Sequence, residues 1–217
     1  MSITAPSVFM LNVTGQIDSG RFMEGDNLYF NYCFTSGTDW EVVGGLEECV
    51  SQMSRRSDDE RQIFIWNFPL DITFKSTNPY GWPQLVLSVY GNDIFGNDTI
   101  IGYAACHLPI TPGIHKRRLT TFVPESASTI QKLMAWLTGR RPEFVDPKLI
   151  ARGKGREVTR VRSHGEITVS FNVVMKDLEK LGYNSSGPSK NSSYFPLTQP
   201  LKEPVPSGSG LAMHSED

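Results

Sequence analysis

The chain reads as all-β: an antiparallel β-sandwich of about eight strands, with one inserted helix and a disordered C-terminal tail. Three observations carry that reading. Between residues 64 and 75, Phe64, Trp66, Phe68, Leu70, Ile72 and Phe74 share one parity, while Asn67, Asp71, Thr73 and Lys75 fall on the other. Successive strand side chains point to opposite faces, so one face is apolar and one wet. Residues 164–175 repeat the pattern, with Ile167, Val169, Phe171, Val173 and Met175 alternating with Glu166, Thr168, Ser170 and Asn172. The remaining strand candidates lie at short spacing between turns of Gly, Pro, Asn and Asp, with no long helices alternating between them, which favours a sandwich over an α/β fold.

In chain order the strands are expected at residues 7–14, 27–35, 62–75, 84–90, 99–108, 114–122 and 164–175, with an eighth near 42–50. The helix is expected at 125–138, after Pro124. Ser126 or Ser128 offers an N-cap, Ile130, Leu133, Met134 and Leu137 form a stripe at helical spacing, and Gly139 ends it. That stripe either packs on the sandwich or binds a partner. From residue 184 onward, Pro, Ser and Gly make up 16 of 34 residues, a composition that buries too little apolar area to offset ordering entropy. Residues 1–183 therefore read as one domain and 184–217 as a tail.

At 217 residues and 39% hydrophobic content the chain can bury one good core. The formal net charge of −2 favours neither nucleic acid nor an acidic membrane, so any such role must come from a local patch, and no nucleic-acid partner is expected. Cys33, Cys49 and Cys106 are odd in number and have no Cys-x-x-Cys pair, so reduced thiols are expected rather than zinc or redox chemistry. The N-terminus has no basic n-region and too short an apolar run for a signal peptide or membrane span, which implies a cytoplasmic chain.

Motif chemistry is sparse. Gly153-Lys154-Gly155 lacks the spacing and the Lys-Ser/Thr ending of a phosphate loop. The four histidines have neither a nucleophile elbow nor a His-Glu-x-x-His helix beside them. No catalytic residue and no cofactor is expected. Two segments are candidate surfaces. Residues 78–83, Asn-Pro-Tyr-Gly-Trp-Pro, form either a rigid hairpin connection with Trp82 folded on the rim, or an aromatic anchor of Tyr80 and Trp82 for a partner. Residues 140–162 carry eight basic against three acidic side chains, among them Arg140, Arg141, Arg152, Arg156, Arg160 and Arg162. This run suits an anionic membrane, an acidic protein face, or simple solvation. The charges of His115, Lys116, Arg117 and Arg118 alternate along a strand and read as an exposed edge.

The stretch WNFPLDITFKSTNPYGWPQLVLSVYG followed by DIFGND resembles the B-nine (B9) domain family, C-two-like proteins of the ciliary transition zone. PSVFMLNVTGQI, GLEECVSQ, FVPES, GRRPEFVDPK and GREVTRVRSHG resemble it too, so the likeness spans roughly residues 6–183. The resemblance implies a C-two-like sandwich at the basal body and transition zone. It also implies a non-enzymatic role in the Meckel/tectonic complex, which gates membrane-protein entry and supports ciliogenesis and hedgehog signalling. The implied partners are other B9 proteins, including the Meckel syndrome type one protein, and tectonic-family and transmembrane proteins. The alternative is a peripheral phospholipid-binding module. A calcium-binding C-two domain would place carboxylates between Tyr90 and Gly102. Here Gly91 replaces the first, leaving Asp93 and Asp98, with scattered help from Asp18 or Asp26. Calcium needs six to eight oxygens, so this reads as a depleted site or as plain turn formers.

Overall fold

Alternating apolar residues need a second layer to cover them, and the strands of this chain supply two. The structure is a computed structural model that describes residues 8–92, 96–124, 148–152 and 161–183. Ten strands are described: β1 (Phe9–Arg21), β2 (Asn27–Thr35), β3 (Trp40–Gly45), β4 (Glu48–Val50), β5 (Ser54–Arg55), β6 (Ile63–Ser76), β7 (Gln84–Asn92), β8 (Asp98–His107), β9 (Gly113–Pro124) and β10 (Val161–Lys176). A short helix, α1 (Lys148–Arg152), and a 3-10 turn (Glu179–Leu181) complete the described elements.

All pairings are antiparallel, along the path β3-β6-β1-β10-β9-β8-β7-β2-β4, with β5 also on β2. The link between β9 and β8 is the single pair Tyr103 with Phe122. The path therefore folds into two layers, β3-β6-β1-β10-β9 and β8-β7-β2-β4. Strands β2 and β6 share no ladder, yet their rings meet edge to face: Phe30 with Trp66 at 5.2 Å, Phe30 with Phe68 at 5.7 Å, and Phe34 with Phe74 at 6.0 Å. These contacts cross the sandwich. The core adds Leu11, Val13 and Ile17 from β1, Leu85, Leu87 and Val89 from β7, and Ile167, Val169, Phe171 and Val173 from β10. A second cluster joins Cys33, Val86, Ile100 and Tyr103 of the second layer to Phe122 of β9 and Ile150 of α1. That is why β7 is buried on both faces.

Three departures from the sequence expectation have physical causes. The described strands number ten rather than eight. In place of one strand near residues 42–50 there are β3, β4 and β5, with β3 ending at Gly45. Gly45 takes φ 90°, and a Cβ there would collide with the Asp71 carbonyl oxygen, so the chain turns where only glycine fits. The first strand runs on to Arg21 rather than stopping at Thr14, because a β-bulge at Asp18 switches its buried parity from Leu11, Val13 and Ile17 to Gly20 and Phe22. On β6 the register also shifts beside Asn67 (φ 45°), which leaves Phe68 only partly buried. The helix expected at 125–138 and the tail from 184 lie outside the described residues.

A candidate docking loop at the β6–β7 turn

Asn78, Pro79, Gly81 and Pro83 dictate a tight connection between β6 and β7, since proline fixes φ and glycine permits positive φ. The Asn78 side-chain oxygen accepts the Tyr80 backbone N–H at 3.0 Å, closing an Asx turn. The Ser76 hydroxyl lies 2.8 Å from the Asp39 carbonyl and 2.7 Å from that of Asn78. Gly81 (φ 69°) crosses Gly37 so closely that a Cβ at Gly81 would lie 2.6 Å from the Gly37 Cα, and the Gly37 N–H donates to the Gly81 carbonyl at 2.8 Å. Two indoles then lock the turn. Trp40 Nε1 donates to the Tyr80 carbonyl at 2.9 Å, Trp82 Nε1 donates to that of Leu108 at 3.0 Å, and the two rings meet edge to face at 5.0 Å. Trp40 is itself held by Phe9 and Phe74.

The consequence is a Tyr80 side chain that is 81% exposed on a backbone tied down at three points. A groove of about 710 Å³ lies beside it, lined by Thr35, Ser36, Thr38, Tyr80, Trp82 and His107 among others. Ala151 of α1 also lines it, and its carbonyl accepts a hydrogen bond from Gln84 Nε2 at 3.2 Å. A rigid, pre-ordered aromatic beside a groove loses little entropy on binding and suits recognition of a partner.

The other sequence-derived positions do not converge on this loop. Arg140, Arg141, Arg156 and Arg160 lie outside the described residues, as does the side chain of Arg152 on α1. Arg162 is exposed on β10, opposite Val123. Asp93 is outside the described residues, and Asp98 opens β8 opposite Asn92. Asp18 is committed elsewhere: it accepts from Gln16 Nε2 at 2.6 Å and Ser170 Oγ at 2.7 Å, and pairs with Lys116 at 3.2 Å. Burial opposes its ionisation, but these donors outweigh it and hold the carboxyl below its ordinary 3.8. Among the described residues no group of three or more His, Cys, Asp or Glu side chains is placed to hold a metal.

Arg56 was not singled out by the sequence, since it sits in a polar run without periodicity. Its guanidinium donates to the Met23 and Gly25 carbonyls, stands 4.0 Å from the Asp26 carboxylate, and lies 5.6 Å over the Phe64 ring. A resident cation thus ties the loop that carries Asp26. Cys33, Cys49 and Cys106 form no disulfide. Burial pushes Cys106 up to about 11 against the opposing charge of Arg117, which leaves it protonated and a poor nucleophile at neutral pH. Among the described residues no helix is long and apolar enough to cross a membrane.

Comparison with known proteins adds to this geometry. Residues 11–174 match the family described as ciliary basal body-associated, B9 protein. B9 domain-containing protein 1 of Mus musculus is 60% identical over 85% of this chain and 91% of its own length, and that of Homo sapiens 56% identical over 94% and 100%. B9 domain-containing protein 2 of Xenopus laevis is 26% identical over 81% of this chain and 98% of its own. Among solved structures, the first C-two domain of plant extended synaptotagmin 1 matches 76% of this chain and 92% of its own at 11% identity, with a TM-score of 0.37. With the match running from β1 to β10 and more than half of the residues shared with full-length relatives, the chain belongs to the family of ciliary basal body-associated B9 proteins.

Proposed function

We propose that the chain is a non-enzymatic structural component of a Meckel/tectonic-like complex at the ciliary transition zone. There it acts in the barrier that gates membrane-protein entry, and it is required for ciliogenesis and hedgehog signalling. The observation that carries this reading is the near-full-length identity to B9 domain-containing protein 1. The Tyr80 loop supports it from the structural side, because a locked backbone presenting an exposed aromatic serves docking. Its partners are other B9 domain proteins, including the Meckel syndrome type one protein, and tectonic-family and transmembrane transition-zone proteins. Residues 1–183 form the docking domain and 184–217 a disordered tail, with the arginines between 140 and 162 as a further contact surface.

Proximity labelling from the endogenous protein in ciliated cells tests the reading. Label enriched on B9 and tectonic-family proteins at the basal body is the expected result. Label spread through the cytosol, or recovered on membranes without those proteins, would overturn it.

A further inference from the structure

The segment from Leu46 to Arg55 closes one side of the sandwich as a strap between the two layers. The Leu46 N–H donates to Asp71 of β6 at 3.2 Å, the Glu47 carbonyl accepts from Phe34 of β2 at 2.8 Å, and the Ser51 N–H donates to Phe30 at 2.8 Å. The Ser54 hydroxyl then bonds both the carbonyl and the N–H of Ile65. Backbone groups of successive strand residues point to opposite sides in the sheet plane. With Glu47 and Ser51 facing β2, the N–H and C=O of Glu48 and Val50 face outward, where β4 ends the sheet.

This edge is apolar and acidic together. Val43, Leu46, Val50, Met53 and Ile65, on or beside the strap, are 44–60% exposed and make up five of the thirteen exposed large apolar residues described. Single exposed apolar residues are ordinary on a soluble protein, but Leu46, Val50 and Met53 place three of them within eight residues beside the open edge. Between Gly37 and Ser54 the sequence holds Asp39, Glu41, Glu47 and Glu48 and no basic residue. Glu41 pairs with Lys75, but Glu47 and Glu48 are exposed and pair with no cation among the described residues. Opposite Val50 in register, the Asn31 side-chain oxygen is buried and accepts no hydrogen bond.

We propose that the β4 edge is a second docking site, which takes an extended segment of a partner protein, with basic and apolar side chains taking turns on one face, as an added strand. Main-chain bonds to Glu48 and Val50 supply the pairing; Glu48 and Val50 share the face turned away from the core, where Glu48 selects a basic side chain next to an apolar one that covers Val50 two residues away. The site extends the assembly reading to a surface other than the Tyr80 loop, and its test uses no ciliary protein, so the two readings fail separately.

The test uses the full chain and a fluorescein-labelled octapeptide, Val-Thr-Lys-Thr-Val-Thr-Lys-Thr, which sets Val and Lys in turn on one face, with the same peptide carrying Glu for Lys (the Glu–Val peptide) as control, read by polarisation at low salt and by amide exchange. The Lys–Val peptide is expected to bind and to slow exchange at the Glu48 and Val50 amides. The exposed substitution Glu48→Lys, with unchanged melting, should weaken binding about tenfold. Val50→Pro, which removes an outward N–H, should abolish it. Equal binding of the Glu–Val peptide, unchanged affinity in Glu48→Lys, or unaltered exchange at Glu48 and Val50 would overturn the proposal. So would self-association of the chain that Glu48→Lys abolishes, because a second copy would then be the occupant.

Discussion

The Trp40 indole N–H donates to the Tyr80 carbonyl at 2.9 Å, so a core tryptophan near the start of the chain fixes the backbone under an exposed tyrosine forty residues later. The bond separates two roles. Trp40→Phe keeps a ring against Phe9 and Phe74 but deletes the donor, and should cost on the order of 1 kcal/mol while speeding amide exchange at Tyr80 and Gly37. Tyr80→Ala should leave stability within about 0.5 kcal/mol of wild type, because the side chain is exposed. Denaturant melts and hydrogen exchange on the two variants check both statements. Equal exchange in Trp40→Phe and wild type would mean the loop is held by its turn chemistry alone.

Two phenylalanines of like sequence pattern should differ in cost. Phe171 is 1% exposed within the core, so Phe171→Ala should destabilise by about 3–5 kcal/mol. Phe68 sits beside the register shift and is only partly buried, so Phe68→Ala should cost clearly less. Urea unfolding midpoints compare them directly. A Phe68→Ala penalty equal to that of Phe171→Ala would contradict the bulge at Asn67.

Asp18 gives stability a definite dependence on pH. Its folded carboxyl titrates below 3.8, so the unfolded chain takes up the proton first as pH falls. Its contribution is fully present above the unfolded value and is lost as pH drops through the lowered folded one. Asp18→Asn should therefore melt lower than wild type at neutral pH, by on the order of 1–2 kcal/mol of stability, with the gap closing below pH 3.8. Thermal melts at matched ionic strength across that range provide the check, and a gap independent of pH would point to packing instead.

Removing residues 184–217 should leave strand content and recruitment unchanged, whereas neutralising Arg140, Arg141, Arg152, Arg156, Arg160 and Arg162 together should weaken association with protein or membrane. Circular dichroism establishes that both variants fold. Co-precipitation of B9 partners and flotation with phosphatidylserine vesicles then separate the two kinds of association. Loss of recruitment on tail removal alone would reverse this assignment.

What the sequence made legible was what repeats locally. Phe64 to Phe74 and Ile167 to Met175 alternate on one apolar face, and both segments are long strands with that face inward. The strand at residues 27–35 has the expected ends for the same reason. The Asp18 bulge was not legible, because an extra residue flips parity without leaving a compositional mark. Nor was the division of the strand expected near residues 42–50 into β3, β4 and β5, each too short to show alternation. At the candidate loop, Asn78, Pro79, Gly81 and Trp82 announced a rigid turn. The contribution of Trp40, and of Arg56 at the Asp26 loop, depends on contacts between distant segments that local periodicity does not encode.

The central claim is that the chain works by docking B9 partners through rigidly presented surface groups. Its most direct measurement is affinity purification from ciliated cells in which the endogenous protein is replaced by tagged wild type or Tyr80→Ala at equal abundance. The account predicts that wild type brings down other B9 domain proteins, and that Tyr80→Ala, folded and equally stable, brings down several-fold less. Equal recovery with both forms, or no B9 domain protein with either, would contradict it.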